Sequence, residues 1–337
     1  MKQILIIKLA AIGDVLRTTS ILYGIKEKYP DSIISWVTSE GAVPLLKNNH
    51  LINNIYIINE NLIKQFDENK FDIIINLDED ILACTLASEL QGEIIGFYLK
   101  DNKIVPTESA REWFNMSALG EPLQNDKLKK ANRKTYHQLM FELIKIQPKK
   151  SDFFLNMKYE ELNFAKKFAV TNNIKNGDMI IGLNTGAGKR WQFKKWSLNK
   201  TIKLAERLSN ELNAKVILFG GKEEKEKNKE ILEKCRTPII DTGCDNNLLQ
   251  FAALLNLCSL VVTSDSLALH IAVALKKKLV VLFGPTSANE IELYGLGKKI
   301  VPNMNCICCY KQTCDKKPNC MDMIGVEEVF ENIKFII

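Results

Sequence analysis

The chain has 337 residues, 46% of them hydrophobic, which is enough for two ordinary domains with separate cores. Its formal net charge of +6 is modest for this length, so the composition does not require a nucleic-acid partner, although it suits an anionic membrane face or a phosphorylated substrate. No stretch reaches the ~18 uninterrupted apolar residues of a membrane helix. Lys8 and Asp14 interrupt the first apolar run, so we expect mature cytoplasmic sequence without a signal peptide.

The N-terminal half alternates short apolar runs with helical patterns, as expected for a parallel sheet. We predict strands at 4–7, 33–37, 55–58, 71–77 and 94–97. Helices are predicted between them at 14–28, 41–47, 62–69 and 81–90. The pattern weakens over 106–134, and a further helix is predicted over 136–146.

The same alternation restarts after a break at 148–151, a lone helix over 159–173 and a turn at 176–178. Strands are predicted at 179–183, 215–219, 238–241, 260–262 and 279–283, with helices at 197–212, 223–235, 248–257 and 267–275. We therefore predict an α/β protein with two Rossmann-like, doubly wound parallel-sheet domains that face a cleft. The predicted segments are 1–156, 157–325 and a C-terminal helix within 326–337.

The chain is organised around residues 260–275, LVVTSDSLALHIAVAL, which predict a strand, a tight polar turn and a helix. Asp265 or Ser266 is a good N-cap, and the amides at 267–269 would then point the positive end of the helix dipole at an anion such as phosphate. His270 lies one turn beyond Ser266 and can donate to the same phosphate. The alternative is that Asp265 only caps the helix and His270 only packs.

Three other loops follow predicted strands, at the sheet edge where doubly wound domains bind ligands. Their glycines let the backbone approach a ligand, Lys189 and Arg190 supply positive charge, and Glu223 can accept hydrogen bonds from ribose hydroxyls. A nucleoside diphosphate fits this set, whereas the two basic residues taken alone also fit a solvated loop. The candidate binding residues in these loops are Thr185, Gly186, Lys189, Arg190, Gly221, Glu223, Gly284 and Thr286.

The first loop of the N-terminal half offers a carboxylate instead of positive charge. Asp14 follows Gly13 at the start of a predicted helix, where it can take a proton from a substrate hydroxyl. Arg17, one turn on, can pair with Asp14 or hold an anionic acceptor. The alternative is that Asp14 serves only as an N-cap or first-turn acid.

Five of the nine cysteines crowd between Cys306 and Cys320. A C-x2-C pair followed by two more thiols is enough for a tetrahedral four-thiolate metal site, with Cys308 left over. The alternative is a set of reduced cysteines in a lysine-rich loop. The candidate metal ligands are Cys306, Cys309, Cys314 and Cys320.

The chain resembles glycosyltransferase family 9 through an ordered set of motifs that spans nearly its whole length. The matching segments are IGDVLRTTSIL at 12–22, GLNTGAGKRW at 182–191 with the later KKWS, FGGKEE at 219–224, TSDSLALHIAVAL at 263–275 and LFGPTS at 282–287. The best-known members are the ADP-heptose heptosyltransferases of lipopolysaccharide core assembly. The resemblance implies the two-domain GT-B architecture and an inverting transfer that needs no catalytic metal or other cofactor.

The resemblance also implies roles for individual residues. Asp14 would be the general base, Lys189 the diphosphate-binding lysine and Glu223 the acid that holds the donor's ribose. Gly13 and Arg17 would contact the acceptor. The donor set implied is Thr185, Gly186, Lys189, Arg190, Gly221, Glu223, Asp265, Ser266, Leu267, Ala268, His270, Gly284 and Thr286.

Three functions remain open at this stage. The first is heptose transfer from ADP-heptose to a lipopolysaccharide-core or lipid-linked sugar, by an enzyme with peripheral contact to the cytoplasmic face of the inner membrane. The cysteine-rich loop at 306–320 resembles C-termini of iron-binding heptosyltransferases that modify autotransporter proteins, which implies a structural Zn or Fe and, as the second function, a protein Ser or Thr acceptor. The third is a non-catalytic nucleotide-binding or metal-binding adaptor of the same fold, which would have no need of Asp14.

Overall fold

Each half of the chain folds around its own six-stranded sheet in the computed structural model, which describes residues 1–66, 71–147 and 152–337. The chain divides into an N-terminal unit, Met1–Asn156, and a C-terminal unit, Met157–Ile337. The predicted break at 148–151 and the end of the predicted helix at 62–69 lie outside the described residues; the start of that helix is a 3-10 turn, Leu62–Phe66. No helix within the described ranges is long and apolar enough to cross a membrane.

The sheet of the N-terminal unit is built from β1 (Gln3–Ile7), β2 (Ile33–Thr38), β3 (Asn54–Ile57), β4 (Ile73–Asn76), β5 (Glu93–Lys100) and β6 (Lys103–Pro106). Its order is β3-β2-β1-β4-β5-β6, and only the β5–β6 pair is antiparallel. The central strand β1 is buried on both faces. Ile4 and Ile6 belong to one core cluster, whereas Leu5 and Ile7 belong to another. A continuous apolar run therefore makes a central parallel strand here.

The helices of the N-terminal unit are α1 (Ile12–Thr18), α2 (Ile21–Lys28), α3 (Val43–Leu46), α4 (Ile81–Glu89), α5 (Arg111–Met116), α6 (Pro122–Ala131) and α7 (Tyr136–Leu143). The single helix predicted over 14–28 is wrong, because the structure divides it into α1 and α2. The hydroxyls of Thr18 and Thr19 donate to the carbonyl oxygens of Asp14 and Leu16, and such side-chain bonds compete with regular helix.

The sheet of the C-terminal unit is built from β7 (Ile180–Asn184), β8 (Lys215–Phe219), β9 (Ile239–Asp241), β10 (Leu260–Ser264), β11 (Lys278–Leu282) and β12 (Gly297–Ile300). Its order is β12-β11-β10-β7-β8-β9, and every neighbouring pair is parallel. Counted within each unit, both sheets have the order 3-2-1-4-5-6. The order reverses between β1 and β4 and between β7 and β10, which is where doubly wound folds bind ligands.

The helices of the C-terminal unit are α8 (Tyr159–Thr171), α9 (Leu198–Leu212), α10 (Lys225–Lys234), α11 (Leu248–Leu255), α12 (Leu267–Ala274), α13 (Cys320–Met323) and α14 (Val326–Ile336). The last helix packs into this unit's own core. Phe330 and Ile333 share a buried cluster with Leu204 and Leu208 of α9. Arg207 adds an ion pair to Glu327 at 2.6 Å and stacks its guanidinium 3.9 Å from the Phe330 ring.

Candidate functional site

Polar side chains from β7 and β10 meet at the switch point of the C-terminal sheet. Asn184 ends β7, and its Nδ2 donates to Thr263 Oγ1 at 3.0 Å and to Ser266 Oγ at 3.3 Å. The Thr263 and Ser266 hydroxyls lie 3.1 Å apart. Because these two strands are parallel neighbours, their carboxyl ends necessarily bring the three side chains together.

A buried ion pair lies beside this cluster. Lys194 Nζ donates to Asp265 Oδ2 at 2.7 Å and to the Asp265 carbonyl oxygen at 3.1 Å, and Thr286 Oγ1 donates to the same Oδ2 at 2.7 Å. The Lys194 and Asp265 side chains are only 10% and 15% exposed. Burial favours the neutral acid, but the charges of Lys194 and His270 outweigh it and lower the pKa of Asp265 to about 2. The carboxylate is therefore ionised and fixed at neutral pH.

The N-terminus of α12 opens at this cluster. Ser266 is the N-cap residue, with an extended backbone, but its hydroxyl bonds to Asn184 and Thr263 instead of capping the helix. Asp265 pairs with Lys194, so the reading of Asp265 as a helix cap is wrong. Leu267 and Ala268 form the first turn, and His270 follows on the buried side of the same helix.

A second buried ion pair supports the loops after β7 and β8. Lys195 Nζ lies 2.6 Å from Glu224 Oε1, and Glu224 Oε2 accepts from the Gly221 amide at 3.1 Å. A Cβ at Gly186 would lie 2.8 Å from Glu224 Oε2, so a larger residue there would have to displace the Glu224 carboxylate. Thr185 is buried, and its hydroxyl donates to Asn228 Oδ1 at 2.6 Å, with the Phe219 carbonyl oxygen as a second acceptor 3.1 Å away.

Several residues predicted from the sequence lie outside this buried network. Lys189, Arg190, Gly221 and Glu223 are exposed. The lysine that meets Asp265 is Lys194, and the buried acid of the Gly-Gly loop is Glu224, so sequence reasoning missed both residues together with Lys195. The KKWS segment was the available signal, since two lysines beside a tryptophan lie a few residues after the glycine loop.

Gly284 and Thr286 lie in a loop that packs closely on the cysteine-rich segment. A Cβ at Gly284 would lie 2.5 Å from Cys320 Sγ, so only glycine fits there. The Gly284 carbonyl accepts from the Cys308 amide at 3.0 Å. The cysteine-rich segment therefore borders the loop that supplies Thr286 to Asp265.

The predicted base and acceptor residues lie together in α1 of the N-terminal unit. Asp14 Oδ1 pairs with an Arg17 nitrogen at 2.9 Å, and the Asp14 side chain is 34% exposed. The Arg17 guanidinium stacks 3.7 Å from the Tyr136 ring. Tyr136 Oη also lies 2.7 Å from Thr18 Oγ1, while Gly13 is buried in the first turn. Arg17 is thus fixed between an aromatic face and the carboxylate that it contacts.

The switch point of the N-terminal sheet carries its own buried ion pair, which the sequence did not indicate. Lys8, directly after β1, lies 3.4 Å from Asp78 Oδ2, after β4, and donates to the Leu77 carbonyl at 3.2 Å. Burial opposes the charge on Lys8, but Tyr136, Asp78 and Asp14 outweigh it and raise the pKa of Lys8. Asp78 Oδ2 accepts from the Leu9 amide at 2.6 Å, which orders the loop before Asp14.

The structure does not confirm a metal site at the four cysteines predicted as ligands. Within residues 1–66, 71–147 and 152–337, no group of three or more His, Cys, Asp or Glu side chains is arranged to hold a metal ion. Cys320 is buried, and burial is the main reason why its thiol pKa rises to about 11, with Cys306, Cys309 and Cys314 adding to the rise. The metal site is not confirmed and stays a prediction.

The chain is similar to known proteins in both sequence and structure. The model of glycosyltransferase family 9 (heptosyltransferase) matches residues 60–320. Lipooligosaccharide heptosyltransferase 2 of Campylobacter jejuni is 26% identical over 341 residues, covering 97% of this chain and 95% of that protein. The solved structure of a family 9 glycosyl transferase from Veillonella parvula has a TM-score of 0.80 at 18% identity, covering 99% of this chain and 97% of that one.

A second solved structure, E. coli ADP-heptose lps heptosyltransferase II, has a TM-score of 0.68 at 20% identity, covering 100% of this chain and 98% of that one. Likeness at this level of identity concerns the fold. With the two sheet topologies, it confirms the predicted class, two Rossmann-like α/β domains of the GT-B type.

Proposed function

The chain belongs to glycosyltransferase family 9, and we propose that it transfers a heptose from ADP-heptose to a hydroxyl of a lipopolysaccharide-core or related lipid-linked sugar. The observation that carries the donor side is the buried Lys194–Asp265 pair at the carboxyl edge of the C-terminal sheet. The names of relatives, such as lipooligosaccharide heptosyltransferase 2, support the sugar and the acceptor class.

The donor diphosphate is assigned to Lys194 in this proposal. An ammonium has three N–H donors, and two hydrogen bonds hold Lys194 on Asp265. We assign the third to a phosphate oxygen. Lys189 and Arg190 are exposed, so their charges attract the donor at longer range and are screened by salt.

The start of α12 adds partial positive charge at the same place. The amides of Leu267 and Ala268 and the nearby His270 suit the charge that builds up on the departing nucleoside diphosphate. Since Ser266 bonds to Asn184 and Thr263, its hydroxyl orients the turn before those amides. Stabilising the leaving group in this way requires no metal ion, which supports metal-independent catalysis.

The remaining donor residues surround this centre in the proposal. Thr185, Gly186 and Gly284 shape the loops through their buried contacts. Gly221 lies in the turn that carries Glu223, whose exposed carboxylate is the one that we assign to the ribose hydroxyls. The buried Glu224 holds this turn through the Gly221 amide.

Asp14 is the proposed general base. One base suffices for an inverting transfer, because a single attack of the acceptor oxygen displaces the diphosphate. The partly exposed carboxylate accepts the hydroxyl proton while Arg17 keeps it oriented. In this proposal Gly13 and Arg17 contact the acceptor, at the cytoplasmic face of the inner membrane.

A structural Zn or Fe at Cys306, Cys309, Cys314 and Cys320 also stays a proposal. Its support is the C-x2-C spacing and the mutual electrostatic effect of these thiols on Cys320. Elemental analysis of the purified chain tests it: about one equivalent of Zn or Fe supports the site, and metal-free protein that folds and binds ADP rejects it.

The test of the proposed function compares donors and acceptors directly. The purified protein is titrated calorimetrically with ADP, UDP, GDP and CDP, and then assayed with ADP-heptose on lipopolysaccharide-core acceptors and on a Ser/Thr-containing protein. We expect selective ADP binding and transfer to the core sugar. Preference for another nucleotide would reject ADP-heptose, and transfer only to protein would favour the protein-acceptor alternative.

Two lysine variants test the assignment within the donor site. Lys194→Ala is expected to weaken ADP binding more than tenfold, because a charge-assisted hydrogen bond to phosphate is lost. Lys189→Ala removes the same charge at an exposed position and is expected to weaken it less than threefold. A larger loss of ADP affinity in Lys189→Ala than in Lys194→Ala would assign the diphosphate to Lys189.

A further inference from the structure

We propose that Tyr310 is a positioning residue for the Lys194–Asp265 pair. It contacts the loop that holds Asp265 and the tryptophan beside Lys194, and in this way it sets the affinity for the donor nucleotide. The inference rests on the proposed function, because it takes this pair as the diphosphate site. Tyr310 belongs to the cysteine-rich segment, for which the sequence suggested only a metal-binding role.

The first contact runs through the Tyr310 hydroxyl. Its Oη donates to Glu290 Oε1 at 2.9 Å and accepts from the Ser287 amide at 3.3 Å. The Tyr310 amide donates to the Pro285 carbonyl at 2.8 Å. One residue therefore holds the loop that contains Thr286 at two backbone positions, on either side of it.

This loop delivers Thr286 to the ion pair. Thr286 is 6% exposed, and its Oγ1 donates to Asp265 Oδ2 at 2.7 Å. Lys194 donates to the same oxygen at 2.7 Å. A shift of the loop would change the angle at which Asp265 presents this oxygen, and hence where Lys194 directs its ammonium.

The second contact runs through the Tyr310 ring. The ring meets Trp191 edge to face, with centroids 6.5 Å apart and planes at 76°. Lys194 Nζ lies 4.9 Å from the centroid of the same Trp191 ring. Tyr310 thus packs against the Trp191 ring, whose face contacts the Lys194 ammonium.

The conformation of Tyr310 is itself costly. Its φ is +51°, and that of Cys308 is +56°, both in the left-handed region that non-glycine residues avoid. Such conformations persist where surrounding contacts determine them. Here the surrounding contacts are hydrogen bonds to the loop of residues 284–287 and its neighbour Glu290, so the two segments hold one another in place.

The test removes the hydroxyl and keeps the ring. Tyr310→Phe is expected to raise the dissociation constant for ADP and the KM for ADP-heptose about fivefold to tenfold, with kcat changed less than twofold and the acceptor KM unchanged. The matched control is Tyr159→Phe, the same change at an exposed tyrosine of α8, which is expected to leave all four values within twofold.

Variants of Glu290 test the hydrogen bond from its other end. Glu290→Gln keeps an acceptor oxygen and is expected to retain nearly wild-type ADP affinity. Glu290→Ala removes this bond but leaves the one from the Ser287 amide to Tyr310 Oη, so it is expected to weaken ADP binding, but less than Tyr310→Phe does. Combining Tyr310→Phe with Glu290→Ala should weaken ADP binding no more than Tyr310→Phe alone, because the bond to Glu290 is already lost in that variant.

The outcomes separate the inference from the proposed function. Wild-type protein that binds ADP, with Tyr310→Phe indistinguishable from Tyr159→Phe, overturns the positioning role and leaves the function standing. A Tyr310→Phe variant that loses kcat, both KM values and thermal stability together has a general structural role, which also overturns the inference. Wild-type protein that does not bind ADP overturns both.

Discussion

Lys194 Nζ and Asp265 Oδ2 lie 2.7 Å apart although 71 residues separate them along the chain. Lys194 comes from the 3-10 turn Gln192–Lys194 after β7, and Asp265 comes from the turn after β10. Parallel neighbouring strands bring these turns to one edge of the sheet. Because both side chains are largely buried, removing either one leaves the other as an uncompensated buried charge, which destabilises the fold. The proposed site therefore contributes to the stability of the C-terminal unit.

The first prediction concerns the effect of Asp265→Asn on the free energy of unfolding at neutral and acidic pH. The pKa of Asp265 falls from its ordinary 3.8 to about 2, so the native state binds its proton less readily than the unfolded state. The resulting stabilisation is complete above about pH 4 and is lost as the pH falls towards 2. We expect Asp265→Asn to lower the free energy of unfolding by about 2 kcal/mol at pH 7 and by less at pH 3.

Urea denaturation of both proteins across this pH range measures the effect. Asp126→Asn removes a mostly exposed carboxylate of α6 and is the matched control, with no expected change beyond about 0.5 kcal/mol. A difference between wild type and Asp265→Asn that is constant from pH 7 to pH 3 would contradict the assigned ionisation.

The second prediction concerns the effect of Lys227→Met on the free energy of unfolding at neutral and alkaline pH. Burial, with the nearby charge of Lys195, lowers the pKa of Lys227 from its ordinary 10.5 to about 8. Below pH 8 the folded protein carries this unfavourable buried charge, and between pH 8 and 10.5 only the unfolded state keeps the proton. Stability therefore rises with pH across that window.

Lys227→Met removes the unfavourable charge but also the bond from Nζ to the Trp196 carbonyl at 2.7 Å. We expect a net gain of about 1 kcal/mol at pH 7, after subtracting one hydrogen bond, and a smaller gain at pH 9.5. Lys229→Met changes an exposed lysine of the same helix and should have no pH-dependent effect. A gain that grows with pH would show that the sign is wrong.

The third prediction concerns Asp14→Asn. As the proposed base, Asp14 acts only when the acceptor hydroxyl is attacked, so its loss is expected to lower the transfer rate 100-fold to 10,000-fold and leave ADP affinity within twofold. Single-turnover transfer and calorimetric titration measure the two quantities. Transfer that continues at the wild-type rate removes Asp14 as base; Asp126→Asn again serves as control.

The fourth prediction compares two glycines that face the same glutamate. A Cβ at Gly186 would lie 2.8 Å from Glu224 Oε2, whereas one at Gly221 would lie at an ordinary 3.5 Å. Gly186→Ala should displace Glu224 from Lys195 and cost about 1 to 3 kcal/mol, while Gly221→Ala should cost well under 1 kcal/mol. Thermal unfolding of both variants gives the comparison, and equal losses would contradict the geometry.

Much of the fold was predictable because apolar runs encode it directly. The runs at β1, β4, β10 and β11 are continuous and flanked by helical patterns. This pattern is typical of strands in a parallel sheet, which helices cover on both faces. The missed strands β6 and β12 read KIVP and GKKI, with lysines or glycine among few apolar residues. Such short edge strands are stabilised by pairing with a neighbour, which a local pattern does not contain.

The site was predictable to the level of loops but not of side chains. The sequence indicated the turns after β7, β8, β10 and β11, because ligands bind at strand ends in this topology. It indicated Lys189 and Glu223, which stay predictions, but it did not indicate that Lys194 and Glu224 are the buried charges of these loops, because a local pattern does not show which of several neighbouring charges faces inward. The 3-10 turns at Gln192–Lys194 and Lys222–Glu224 make that choice.

Trp191 lies at the junction of the groups that the proposed donor meets. Its ring contacts Tyr310 and lies 4.9 Å from the Lys194 ammonium and 5.3 Å from the Arg190 guanidinium. Indole fluorescence shifts with the electric field of nearby charges. A bound diphosphate would add negative charge beside the positive charges of Lys194 and Arg190, and so would change the field at the indole ring. The chain has four tryptophans, and Trp196 lies in the same unit as Trp191, so the signal of Trp191 is isolated by subtracting the spectrum of a Trp191→Phe variant. Under the proposed function, Trp191 is therefore an intrinsic optical reporter of donor binding, with no labelled ligand required.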